Sequence, residues 1–269
     1  MTKADWPLAS FEQPDWHAAI ADIIKRRSTN KTDVRDVALR NIELSSARRI
    51  LDLGCGFGFM SAALAQRVAP DARIVGLDAC AANKQSFLKC VTDARRAGDF
   101  VCRQIDSQLD WPDDSFDLIV ASYSLYFFPD VVPEVARILA PHGLFVALTH
   151  MEESCWDLLR AVGVEENNSH LLPVSRNFSA ENGDRLLKPW FADVERVDYP
   201  NSLAFGAAEH DDLLAYLRFK LPFLSPDSAP GSELPEPLWK HIQTSLSHQG
   251  RVVLAKNDAA FRCRKPRCP

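Results

Sequence analysis

No stretch of this sequence approaches the roughly 20 consecutive apolar residues that a membrane-crossing helix needs. The first twenty residues lack the long apolar segment behind a basic flank that marks a secretory leader. Positive charge is not in excess: 31 Lys and Arg face 36 Asp and Glu, a net charge of −5. No global field therefore draws the chain to nucleic acid or anionic lipid. The seven cysteines are odd in number and scattered through apolar runs, which excludes a disulfide-framed secreted scaffold. Cys263 and Cys268 offer two thiolates where a closed zinc site needs four ligands, so no metal site is expected. Arg262, Arg264, Lys265 and Arg267 beside them read as a solvated basic tail. Internal repeats are missing, and so is a linker between independent cores. The expectation is a reduced, cytoplasmic monomer or homodimer with neither membrane nor nucleic acid as partner.

What is present is ordinary for a globular chain: 269 residues, 46% hydrophobic and 25% charged, enough to bury a sizeable core. Residues 1–48 read as two amphipathic helices parted by the polar break at 28–33, with Thr32 or Asp33 as a cap. From Arg48 the texture changes. Apolar runs at 49–53, 73–77, 100–105, 116–122 and 143–149 read as strands, with helical periods after Gly58, at 81–97 and at 131–139. Strands alternating with helices predict an α/β fold, a doubly wound sheet that is mostly parallel and covered on both faces.

The second half is less regular. Residues 151–180 are polar and read as an insertion or lid, 177–190 as helical, and 191–197 as an edge-facing strand. Two helical pieces over 209–248 are broken by the proline-rich stretch 226–237, and 251–264 reads as a final strand region. One domain over 1–269 is the better count, with a helical cap at 1–48, a core at 49–150, lid insertions at 151–185 and 206–249, and a C-terminal strand region at 250–264. The helix over 208–220 places Leu213, Leu217 and Lys220 at helical spacing, with Tyr216 nearby.

The most informative stretch is Leu-Asp-Leu-Gly-Cys-Gly-Phe-Gly-Phe-Met (51–60), at a strand-to-helix turn. Gly54 and Gly56 let the backbone turn tightly and let a ligand approach it. The following helix offers free amide donors. Asp78 ends the second strand 22 residues after Gly56, where a carboxylate can accept from both hydroxyls of a ribose, although a solvated strand-end acid is the plain alternative. Loop plus acid points to a nucleoside cofactor at the carboxyl edge of the sheet. A dinucleotide fingerprint requires Gly-X-Gly-X-X-Gly. Here that third position is Phe59 and the glycine falls at Gly58, while Asp52 precedes the first glycine by two. An acid there repels a pyrophosphate and suits the ammonium end of an amino acid. Both departures favour S-adenosylmethionine.

With these motifs the chain resembles the class I S-adenosylmethionine-dependent methyltransferases, of the ubiquinone/menaquinone-biosynthesis type. The resemblance covers about residues 48–150 and rests on 51–58, on Ile-Val-Gly-Leu-Asp (74–78), on 105–122 and on 134–145, all in order. It implies a seven-stranded, Rossmann-like sheet with helical lid insertions. It also implies that Gly54 and Gly56 line the methionine end, that Asp78 holds the ribose, that Asp106 with Ser107 meets the adenine, and that Ser122 lies under the cofactor facing the substrate. The family usually has Leu-Pro and an aromatic before Ser-Phe-Asp. Here Leu-Asp-Trp-Pro stands there in a loop one residue shorter, so the adenine contact is Asp106 or its neighbour.

The expected activity is methyl transfer to a small-molecule acceptor. A non-catalytic S-adenosylmethionine-binding or partner-binding protein, and an enzyme using the same pocket for other chemistry, stay open beside it. No Asn-Pro-Pro-Tyr or Asp-Pro-Pro-Tyr follows the fourth strand, which weighs against amino-methylation of bases or glutamine. No carboxylate ends that strand either, so a magnesium ion has no obvious ligand and the transfer reads as metal-independent. Among Tyr123, Tyr126, Phe127 and Phe128, at least Tyr123 is expected to face the pocket, where an aromatic face favours a sulfonium; plain packing is the alternative. His150 and His170 are candidate bases, although a lone histidine is more often structural. Tyr126, His170 and Tyr216 are expected to wall the acceptor. Cys55 and Cys80 read as small core residues.

Overall fold

The computed structural model describes residues 8–225, 228–229 and 231–267; Cys268 and part of the proline-rich stretch lie outside them. Helix α1 (Pro14–Arg27) starts on a proline, whose missing N–H is no loss in a first turn. Helix α2 (Val34–Ala38) is capped by the Asp33 carboxylate, which accepts from the Arg35 amide. Then come β1 (Arg49–Leu53), α3 (Phe59–Leu64), β2 (Arg73–Asp78), α4 (Asn83–Asp93), β3 (Ala97–Cys102), β4 (Phe116–Ser122), α5 (Val132–Ile138) and β5 (Leu139–His150). The second half holds α6 (Glu152–Val162), α7 (Leu171–Ser175), α8 (Gly183–Leu187), β6 (Phe191–Tyr199), β7 (Ser202–Gly206), α9 (His210–Leu224), α10 (Glu236–Gln249), β8 (Arg251–Ala255) and β9 (Asp258–Pro266).

Seven strands form one sheet in the order β3-β2-β1-β4-β5-β9-β6. The first five are parallel; β9 runs antiparallel to both neighbours. Alternation along the strands feeds two cores, because successive side chains point to opposite faces. Leu51, Leu53, Ile119, Phe145 and Phe261 pack on one face with α5 and α8, while Ile50, Ile74, Val120 and Val146 pack on the other with α3 and α4. A third apolar cluster joins α1, α6, α7, α9 and α10 to the β7–β8 ribbon. Salt bridges from Arg26 and Arg27 to Asp212 tie α1 to α9.

Several expectations need correction. The third strand is Ala97–Cys102 rather than 100–105, because Arg95 in a left-handed conformation ends α4 early. Only Gly183–Leu187 of the stretch 177–190 is helical. The polar segment 151–180, read as an insertion or lid, also contributes to a core: Cys155, Leu158, Leu159 and Val162 of α6 are buried in the third cluster. The region 251–264 is two strands in two different sheets. Among the described residues no helix is long and apolar enough to cross a membrane.

Candidate active site

The ends of β1, β2, β4 and β5 meet the start of β9 at one edge of the sheet, since β9 pairs Asp258 with His150. The turn after β1 is anchored by its own amides: Gly54 and Cys55 donate to the Leu77 carbonyl at 2.8 and 3.3 Å. Gly54, Gly56 and Gly58 all have positive φ, at 67°, 52° and 97°, where a side chain is strained. Their surroundings differ. A Cβ on Gly54 would meet Ser124, and one on Gly58 would meet the Cys90 sulfur and the Phe87 backbone of α4. A Cβ on Gly56 would meet nothing nearer than the His17 ring at 3.9 Å. Gly54 and Gly58 thus serve close packing, whereas a Cβ on Gly56 would touch only the His17 ring.

Asp78 closes over this turn. One carboxylate oxygen accepts from the Gly56 amide at 2.8 Å, the other from the Cys80 amide at 2.8 Å and the Asn83 side chain at 3.2 Å. Asp52 lies beneath, 1% exposed, with Oδ2 accepting from the Ser61 hydroxyl at 2.6 Å and Oδ1 unpartnered. Burial, reinforced by the nearby Asp78 charge and opposed by Ser61, pushes its carboxyl up to about 7. Ser122 ends β4 with its hydroxyl buried and unpartnered. Asp106 and Ser107 stand exposed beyond β3, where Asp106 accepts from the Gln108 amide.

α1 covers the turn. His17 stacks on Phe219 at 5.2 Å and meets Phe57 and Phe11 edge-on at 4.9 and 5.0 Å. Burial and then the Lys220 charge lower its pKa to about 4, so its ring is neutral.

A second group lies at the ends of β4, β5 and β9. Tyr123 adopts a left-handed conformation (φ 55°), a strained arrangement that clusters at functional sites. Its hydroxyl donates to Asp258 at 2.8 Å. His150 stacks on Tyr123, with ring centroids 4.7 Å apart, and lies 6.0 Å from the Tyr126 ring. Its Nδ1 is 2.8 Å from Asp258. Lys256 donates to both Asp258 oxygens, at 2.7 and 2.5 Å, and lies over the Tyr123 ring at 4.9 Å. Asp258 is 1% exposed; burial opposes its charge, but Lys256 and His150 together hold its carboxyl below the usual range. Burial and Lys256 lower His150 to about 4. The carboxylate can only accept, so the neutral ring carries its proton on Nδ1 and a lone pair on Nε2.

The expected acceptor residues are spread more widely. Tyr126 joins His150. Tyr216 is buried against Phe205 of β7 in the third cluster. His170 stands exposed before α7, its amide donating to the Phe223 carbonyl. Sequence reasoning missed Asp258, Lys256 and His17. The available signal was an opposite pair two positions apart, Lys256 and Asp258, at the mouth of the apolar run Ala259–Phe261.

Residues 51–147 match the family described as the methyltransferase domain. That stretch belongs to the class I S-adenosylmethionine-dependent methyltransferases. Relatives of the methyltransferase domain include trans-aconitate 2-methyltransferase of Variovorax paradoxus, 30% identical over 56% of this chain and 57% of that one. Demethylmenaquinone methyltransferase of Geobacillus kaustophilus is 30% identical over 42% of this chain and 50% of that one. The chain spans about half the length of the curated relatives it matches. Its fold is shared with the YcgJ protein from Bacillus subtilis, at a TM-score of 0.54 and 17% identity over 93% and 99% of the two chains.

The methyltransferase domain's residues fit that cofactor. Asp78 Oδ2, which accepts from the Gly56 amide alone, keeps accepting capacity for a ribose hydroxyl, Gly56 borders space that a side chain would narrow, and Asp52 holds an unpartnered oxygen below it.

Proposed function

We propose that this chain transfers a methyl group from S-adenosylmethionine to a small-molecule acceptor in cytoplasmic metabolism, without a metal ion. The observation that carries the reading is the Asp78 carboxylate, clasping the Gly56 and Cys80 amides at a glycine where a side chain would meet only the His17 ring. In this reading Gly54 and Gly56 line the methionine end and Asp52 serves its ammonium. Gly58 acts by holding the turn against α4. Asp78 takes the ribose, Asp106 and Ser107 take the adenine, and Ser122 faces the acceptor. The free thiols of the described cysteines support a reducing compartment. The acceptors in the relatives' names, trans-aconitate and demethylmenaquinone, are small molecules, which supports the substrate class.

When bound, the cofactor supplies a methyl carbon already activated by its sulfonium. The chain must then place a nucleophile in line and exclude water; orientation of this kind contributes on the order of 7–11 kcal/mol in the best cases. Tyr123 and His150 form the wall nearest β4 and β5. His150 Nε2 can take a proton from an acceptor that arrives protonated, while Asp258 holds Nδ1–H and so fixes the ring. Tyr126, Tyr216 and His170 belong to the surrounding wall, with residues 151–185 and 206–249 as its covering segments. Calorimetry tests the cofactor: S-adenosylhomocysteine should bind with a micromolar dissociation constant, and NAD binding more tightly would refute the reading. Screening metabolites for S-adenosylhomocysteine release then identifies the acceptor.

A further inference from the structure

The geometry points to an acceptor that carries a carboxylate, seated on Lys220; this rests on the acceptor site assigned above. α9 brings Lys220 to the interior one turn beyond Tyr216. Its ammonium has aromatic neighbours, 5.9 Å from the Phe219 ring centroid and 5.7 Å from that of Phe223. Among the described residues no carboxylate, carbonyl or hydroxyl accepts from it. Phe219 packs on His17 and Phe11, Phe11 packs on Phe127, and Phe127 packs on Tyr126 beside His150. Lys220 therefore stands within an aromatic enclosure running from the glycine turn to the His150 group. Lys220, Tyr123 and His150 are each only partly buried, so each keeps accessible surface. The acceptor's place is among these three accessible side chains.

The charges around that place do not balance. Two ammoniums, Lys220 and Lys256, face one carboxylate, Asp258, which Lys256, His150 and Tyr123 already engage. Burial and then Lys256 push Lys220 down to about 8, which leaves it mostly protonated at neutral pH. A partly buried cation with only aromatic rings beside it is costly, and the cost is relieved by an anion that enters. One ammonium matches the single charge of a carboxylate, whereas a phosphate dianion would overturn the sign of the site. The ring of phenylalanines favours an apolar or unsaturated body behind that carboxylate.

Titration calorimetry on the full chain tests this with benzoate, cinnamate and octanoate and their three amides, each with and without S-adenosylhomocysteine. At least one carboxylate should bind tenfold or more tightly than its amide. Lys220→Met should abolish that preference and leave the S-adenosylhomocysteine dissociation constant within twofold; Lys220→Gln serves if the methionine variant does not fold. If none of the three carboxylates outbinds its amide, the proposal is overturned. A tenfold loss of S-adenosylhomocysteine affinity in Lys220→Met overturns it too, because the lysine would then serve the cofactor. The preference is also read in the cofactor-free protein, so failure of S-adenosylhomocysteine to bind the wild type counts against the cofactor reading alone.

Discussion

A carboxyl group in a dry interior keeps its proton, and Asp52 is such a group. Its folded pKa, about 7, lies above the ordinary 3.8. Between those values the folded state binds more protons than the unfolded one, so Asp52 subtracts stability as pH rises through that window. Asp52→Asn should therefore gain on the wild type by about 2–3 kcal/mol between pH 5 and pH 7 in urea titrations; a margin that ignores pH contradicts this. An ammonium arriving beside Asp52 would drive its proton off. S-adenosylhomocysteine binding at pH 7 should then release up to about half a proton, read from calorimetry in two buffers of different ionisation enthalpy, and Asp52→Asn should abolish that release. Asp78 works differently, because it holds the turn and, in the proposed function, the ribose as well. Asp78→Ala should weaken S-adenosylhomocysteine by roughly 1.5–3 kcal/mol or more while circular dichroism stays native. An unchanged dissociation constant would place the ribose elsewhere.

At the scale of elements, the glycine turn separates two requirements that its spacing merges. Gly58→Ala meets both a left-handed backbone and the packed Cys90 and Phe87 of α4, and should lower stability by about 2–3 kcal/mol. Gly56→Ala meets the backbone strain alone, about 1–2 kcal/mol, and should instead impair ligand binding. Thermal melts and S-adenosylhomocysteine titrations of the two variants check the contrast; equal melts for both would refute it. This turn was legible from sequence because its chemistry is local: one strand, three glycines and an acid one strand away. β1, β2, β4 and β5 were legible for a similar reason, since strands covered on both faces read as continuous apolar runs. β3 was displaced because nothing in the apolar pattern shows that Arg95 ends α4. β8 and β9 were merged because a strand's partners are not written in its own pattern. The Asp258 partnership was invisible on the same account, joining residues 108 positions apart.

At the scale of the molecule, the third apolar cluster is built from segments flanking the core on both sides of the sequence, α1 before it and α6 to β8 after it. α1 lies over Gly56 through His17, so a ligand entering there should stiffen a helix distant in sequence from Asp78. Amide exchange in α1 should slow on addition of S-adenosylhomocysteine, alongside the 54–58 turn. Protection confined to the turn would show that α1 is no part of the enclosure.

The placement of β9 between β5 and β6 also bears on how the chain is made. A polypeptide emerging N-terminus first completes β1 to β5 long before residue 258 is available. Until then β5, apolar over Leu144–Leu148, lacks the neighbour that covers its outer side, and such an edge is a template for aggregation. Insertion of β9 hides that edge and, in the same event, delivers Asp258 to His150. A chain stalled before this strand would lack the Asp258–His150 pair and be adhesive at once, so chaperone engagement and completion of that pair become two readings of a single late folding step.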